Sequence, residues 1–191
     1  MKIRTFIAIG VPEKLKAEIG KISSFISSQI PGVRWVSSEN LHITLKFLGD
    51  IEESMIPDIQ EVLNQVAQNH LPISSKFGGV GVFPNIRRPG IIWLGLTEGS
   101  EELTVLVSDI SAGLSRLGFK PERRKFTPHL TLGRVKKRVR PAGLREILET
   151  DEGKFSTGRL KINMLLLKKS TLTSNGAIHQ ILSEHYMNGR V

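Results

Sequence analysis

The four residues His42-Ile43-Thr44-Leu45 return 87 positions later as His129-Leu130-Thr131-Leu132. Each copy reads His, apolar, Thr, apolar. Successive side chains of a strand point to opposite faces, so His and Thr share one face and the apolar pair shares the other. Ile43, Leu45, Leu130 and Leu132 are therefore expected in the core, with an imidazole and a hydroxyl presented together by each strand. The repeat extends around the motif. The same shift lays Ile3 to Ile9 (IRTFIAI) on Gly90 to Leu96 (GIIWLGL), two short apolar strands. It also lays Glu13 to Ser28 on Ser100 to Ser115, two amphipathic helices. Strand, helix and motif strand thus occur twice. Two copies are too few for a solenoid, and they point to a pseudo-twofold pair of half-domains that face both motifs into one cleft.

The chain between these landmarks reads as follows. Pro12 suits a first helical turn, and Leu15, Ile19, Ile22, Phe25 and Ile26 form an apolar stripe that Pro31-Gly32 ends. Val33 to Val36 is a short strand. Leu41 to Leu48 is the first motif strand, closed by Gly49-Asp50, and a helix spans Ile51 to Gln68. Ile73 to Val82 is a strand bent at Gly78, Gly79 and Gly81. The turn-rich segment from Phe83 to Gly90 divides the halves 1–86 and 87–191 of a single bilobal domain. The second half gives a strand at Ile91 to Leu96 and a helix at Glu101 to Leu117 before Gly118. The motif strand is completed through Val135, a short helix runs from Pro141 to Thr150, and strands run from Leu160 to Leu167 and Ala177 to Tyr186.

Charge and composition narrow the function. Lys plus Arg total 27 against 18 Asp plus Glu, a net charge of +9. That suits a polyanionic partner such as nucleic acid. The basic residues cluster at Arg87-Arg88, Arg123 to Lys125 and Arg134 to Arg140, and the last two clusters bracket the second motif. There is no Cys, hence no disulfide framework or thiolate metal site, and the cytoplasm is the expected compartment. No apolar run reaches the roughly 18 residues of a membrane span. MKIRTFIAIGVPEK reads as a strand rather than a signal peptide.

Two imidazoles facing one site suit paired acid–base chemistry, because a His titrates near pH 6.5 and one neutral and one protonated ring coexist near neutrality. Phosphodiester cleavage needs such a pair, with Thr hydroxyls and nearby cations holding the phosphate oxygens. The alternatives are weaker. No HExxH occurs and no carboxylate stands at metal-ligand spacing beside either His. A GxSxG elbow and a P-loop are also absent. Two amphipathic strands that merely carry His and Thr are the remaining non-functional reading. Lys46 shares the His42 face by alternation, as either a cleft cation or a solvated surface group. Trp35, Phe47, Phe83 and Trp93 read as core before they read as base-stacking platforms, and Phe6 reads as core before it reads as cleft lining. His70 follows a helix and reads as a surface His at its C-terminus, while His179 and His185 lack a Thr two residues on and are set aside from catalysis.

The sequence resembles the two-histidine (2H) phosphoesterases, and within them the RNA 2′,3′-cyclic phosphodiesterases also called 2′-5′ RNA ligases. The matching segments are RTFIAI at Arg4 to Ile9, RWVSSENLHITLKFLGD at Arg34 to Asp50, GGVGVFPN at Gly78 to Asn85, FTPHLTLGR at Phe126 to Arg134 and KKSTLTSNGAIH at Lys168 to His179. The resemblance implies an α+β bilobal fold, with two pseudo-symmetric antiparallel sheets and flanking helices around a central cleft. It implies hydrolysis of RNA 2′,3′-cyclic phosphate ends to 2′-phosphates without metal. A monomer with no cofactor and no membrane partner is expected. Some members also join or cleave 2′-5′ linkages. By the family pattern His42 is the proton donor and His129 the proton acceptor, while Thr44, Thr131 and Arg134 bind phosphate. Two points of the pattern differ. Strict alternation puts Arg134 on the face opposite His129, so its role requires a bulge or twist at Gly133. His179 stands where the family commonly has Tyr. The competing functions are a non-catalytic RNA-binding module and a cyclic phosphodiesterase acting on another small nucleotide.

Overall fold

A computed structural model describes residues 1–122, 124–136, 143–149, 155–174 and 176–188. In chain order the elements are β1 (Lys2–Gly10), α1 (Glu13–Gln29), β2 (Val33–Trp35), β3 (His42–Glu52), α2 (Ile56–Gln68), β4 (Ile73–Phe83), β5 (Ile91–Glu98), α3 (Ser100–Ser115), β6 (Leu130–Val135), α4 (Leu144–Glu149), β7 (Ser156–Ile162), β8 (Met164–Thr173) and β9 (Gly176–Tyr186). Arg123 and residues 137–140 of the basic clusters lie outside the described residues, as do Pro141, Ala142 and Thr150 of the expected short helix.

The fold is α+β, and its antiparallel strands form one sheet in the order β7-β4-β5-β6-β3-β1-β8-β9, with β2 also on β6. The two sheets expected from the sequence are two four-stranded wings joined at the centre. One residue pair, Ile43 with Leu130, links β3 to β6. These residues are repeat partners, so the pseudo-twofold passes between them. Both are fully buried in the helix-covered core, together with Leu45 and Leu132. Burying each such side chain contributes about 1.5–3 kcal/mol. A one-residue slip of either strand would expose the whole set, so the hydrophobic pattern fixes which face the His and Thr residues occupy.

Each half of the chain gives its last strands to the other wing. β4 follows the first motif yet pairs with β5 and β7, while β8 follows the second motif yet pairs with β1. The apolar run Leu160 to Leu167, expected as one strand, is broken at Asn163 into β7 and β8. β7 is an edge strand and β8 is next to the opposite edge. A single residue joins them, so the sheet must curl until its edges nearly meet. The curl follows from the right-handed twist of strands, strengthened by bulges.

Strand pairing corrects two sequence expectations. β3 does not end at Gly49-Asp50 but continues to Glu52, so Ile51 and Glu52 belong to the strand and not to the helix. Its register on β1 shifts around Leu48, where Gly49 adopts φ +75°, a bulge that glycine permits. The strands β1 and β5 correspond with an offset two residues short of the motif spacing. Ile9 faces Ile43 as Leu94 faces Leu130.

Candidate active site

The register of β3 on β6 assembles the site. In an antiparallel pair, the neighbours of Ile43 and Leu130 lie across from one another, which sets His42 against Thr131 and Thr44 against His129. The two His positions are diagonal, and diagonal cross-strand positions lie about 7–8 Å apart. All four side chains leave the sheet on the face opposite Ile43 and Leu130. This face is the inside of the curl. Phe6 pairs with Phe47 along the strands, yet its ring lies 5.0 Å from that of His42. Phe6, Ala8 and Leu166 form a small buried floor there, separate from the main core.

Both imidazoles are anchored in the same way. His42 Nδ1 lies 2.6 Å from the Asn40 carbonyl and His129 Nδ1 lies 2.7 Å from the Thr127 carbonyl. A carbonyl only accepts, so each Nδ1 keeps its proton and Nε2 is left to exchange one. Burial pushes the His42 pKa down to about 4, and the nearby Lys168, His179 and Arg134 also lower it against the opposing carbonyl contact. His129 is lowered as well, first by burial and then by Arg134. Arg134 thus acts on both rings.

Its position comes from a bulge, one residue earlier than the sequence required. The register of β6 on β5 passes from Thr131–Trp93 to Gly133–Ile92, so Leu132 is the extra residue and Arg134 rejoins the Thr131 face. The first motif bulges at the matching place, with Leu45 extra between Thr44 and Lys46. There the shift turns Lys46 off the His42 face. It is buried and its Nζ donates to the Lys120 carbonyl at 3.1 Å, so it is neither a cleft cation nor solvated. Phe47 takes the place that corresponds to Arg134. It is 61% exposed, and its ring lies 6.2 Å from that of Phe6. The expectation that Phe47 is core is corrected by the same bulge.

The two flanks differ. Beside His129 stand Phe83 at 4.9 Å and Trp93 at 6.1 Å between ring centres. The Trp93 indole lies over Gly81, where an added Cβ would come within 2.2 Å of the ring. Changing Gly81 to Ala is therefore expected to displace Trp93 from beside His129 and lower kcat/KM by up to about 10²-fold, the scale of a misplacement of about 1 Å. Trp fluorescence and kinetics on the folded variant check this.

Beside His42 stands His179, at 5.2 Å between ring centres, on the strand β9. A hydrogen-bond relay holds it there. Asn40 Nδ2 donates to the Ala177 carbonyl at 3.0 Å, two residues before His179, while the Asn40 carbonyl anchors His42. No local pattern announces this, because the partners are 137 residues apart. By contrast, His185 is buried against Asn64 and Ser183, and His70 pairs with Asp109. Both have structural partners away from the motifs. Among the described residues no three His, Cys, Asp or Glu side chains gather as a metal set. None of the described helices is long and apolar enough to cross a membrane.

Comparison with known proteins places this arrangement. Residues 11–163 match the profile of the 2′-5′ RNA ligase superfamily. The RNA 2′,3′-cyclic phosphodiesterase of Aquifex aeolicus is 32% identical over 191 residues, covering 98% of each chain. That of Methanocaldococcus jannaschii is 37% identical, covering 95% of this chain and 99% of its own. A crystal structure of a Thermus thermophilus protein superposes with a TM-score of 0.80 at 24% identity, over 99% of this chain and 100% of that one. The apo structure of E. coli LigT superposes at 0.74 with 20% identity, over 97% and 98% of the two chains.

Proposed function

This chain belongs to the 2′-5′ RNA ligase superfamily, and from that premise we propose that it hydrolyses RNA 2′,3′-cyclic phosphate ends to 2′-phosphates through His42 and His129. The observation that carries the reading is the matched pair of carbonyl-anchored imidazoles flanking one strand pairing, each set across from the other motif's Thr. Water attacks phosphorus as His129 Nε2 takes its proton. The bond to the 3′ oxygen breaks as His42 Nε2 delivers a proton to that oxygen. Thr44 and Thr131 donate to the non-bridging oxygens, and Arg134, close to both rings, balances their charge.

With no anion bound, burial favours the neutral form of both imidazoles. A phosphate between them favours the protonated form. Substrate binding therefore loads the acid with its proton. A hydroxyl in place of water would give 2′-5′ ligation by the same transfers. One chain supplies both motifs, so a monomer suffices. The cysteine-free composition fits the cytoplasm.

Turnover of a 2′,3′-cyclic nucleotide in excess EDTA tests the reading. Undiminished turnover is expected. Loss of activity that returns with a divalent metal contradicts the metal-free mechanism, and stoichiometric binding without turnover favours an RNA-binding module.

A further inference from the structure

Lys168 carries a charge that the two-histidine chemistry leaves unexplained. It lies on β8 directly across from Phe6, on the inner face of the sheet, and is only 7% exposed. Among the described residues no carboxylate pairs with it and no acceptor is in hydrogen-bond contact with it. Its electrostatic neighbours are cationic or titrating groups: Lys16, His42 and His179. The stem is buried while the ammonium keeps contact with solvent, so an anion entering the cleft can reach it. His179 shares the flank. Its ring lies 4.9 Å from Phe6 and 5.2 Å from His42, and its buried Nδ1 has no hydrogen-bond partner. Burial and Lys168 both push its pKa down.

Among the described residues the two flanks are charged differently. Lys168, His179 and Arg134 act on His42, whereas Arg134 is the one described cation that acts on His129. The pseudo-twofold sharpens the contrast. Lys168 pairs with Phe6 as Phe83 pairs with Ile91, and Phe6 and Ile91 face corresponding residues of the motif strands. The position that holds an ammonium beside His42 thus holds a phenyl ring beside His129.

We infer that Lys168 and His179 form a second phosphate subsite on the outer flank of His42, which takes the 5′-phosphate of the nucleotide whose cyclic phosphate lies between the motifs. The inference rests on the function proposed above. The chemistry of the ligand follows from RNA itself. A strand held by its 3′-terminal cyclic phosphate carries its next anion on the 5′ oxygen of the same nucleoside, within one nucleotide of His42. An ammonium and an imidazole nitrogen are the donors that such an oxyanion takes. The subsite would favour strand ends and 5′-phosphorylated nucleotides over cyclic nucleosides that lack a 5′-phosphate.

Three substrates test this: adenosine 2′,3′-cyclic phosphate, its 5′-phosphorylated form, and the dinucleotide ApA ending in the cyclic phosphate. The wild type is expected to prefer the latter two in kcat/KM. Lys168→Met is expected to lower that preference ratio about tenfold, and Lys168→Arg to retain it. The ratio cancels any effect of Lys168 on His42 that all three substrates share. If only the dinucleotide gains, the subsite takes an internucleotide diester. If both gain, it takes either form of 5′-phosphate. Binding of the product dinucleotide bearing a 2′-phosphate gives a readout independent of turnover. The slope of log Kd against log salt should fall by about 0.7 in Lys168→Met, one single-strand phosphate contact. An unchanged ratio together with an unchanged slope overturns the subsite. An inactive wild type that still shows the change in slope would instead overturn the proposed function and leave the subsite standing.

Discussion

Alanine at His42 or at His129 is expected to lower kcat/KM by at least 10²-fold, the usual scale for a general acid or base. The expectation rests on geometry that both residues share. Each Nδ1 is held by a carbonyl two residues upstream, and each Nε2 is left for proton exchange. The double variant should cost much less than the product of the two single losses, because the groups act on one transition state as a unit. The folds should survive, since neither ring belongs to the main core. Near wild-type activity in His129→Ala would remove it from the mechanism. Fully multiplicative losses would mean that the two rings act in separate steps.

The second large effect is on the pH profile. The base must be neutral, so its activity is lost as pH falls through its pKa, which makes the acidic limb. The acid must be protonated, so its contribution is lost as pH rises, which makes the basic limb. His129→Ala should therefore retain only the fall at high pH, and His42→Ala only the rise from low pH. Burial holds both rings below the usual imidazole range, with His42 near 4 in the absence of an anion. The kcat/KM bell, which reports the free enzyme, should lie on the acid side of pH 6.5. The kcat bell should lie at higher pH, because the bound phosphate raises both imidazoles. The wild-type limbs belong to the coupled pair and not to single residues. A flat profile from pH 5 to 9 with chemistry rate-limiting would contradict paired acid–base catalysis. If each variant keeps the limb expected of the other, the pair stands with donor and acceptor exchanged.

Much of this was legible because alternation and helical periodicity are local. The burial of Ile43, Leu45, Leu130 and Leu132, the helices α1 and α3, and the strands β2 and β4 all follow from patterns within one segment. The errors arise where a partner strand decides. The bulges at Leu45 and Leu132 appear only in register against β1 and β5, yet they turn Lys46 away and bring Arg134 in. The need for a bulge near Gly133 was readable from the face Arg134 had to occupy, though its position was not. The run from Leu160 to Leu167 is apolar except at Lys161 and Asn163, and a single polar residue such as Asn163 fits within one strand as well as between two, so only the pairing of β7 with β4 and of β8 with β1 fixes the break there. His179 enters the site through a hairpin whose latch, Asn40 to Ala177, joins distant parts of the chain.

The most direct test of the account is the position of the phosphate on the product made from an RNA with a 3′-terminal 2′,3′-cyclic phosphate in excess EDTA. If His42 protonates the 3′ oxygen while His129 activates water, the product carries a 2′-phosphate and a free 3′-hydroxyl, and that is the predicted result. A 3′-phosphate would make the 2′ oxygen the leaving group and would contradict the assignment, and no product under these conditions would contradict metal-free hydrolysis itself.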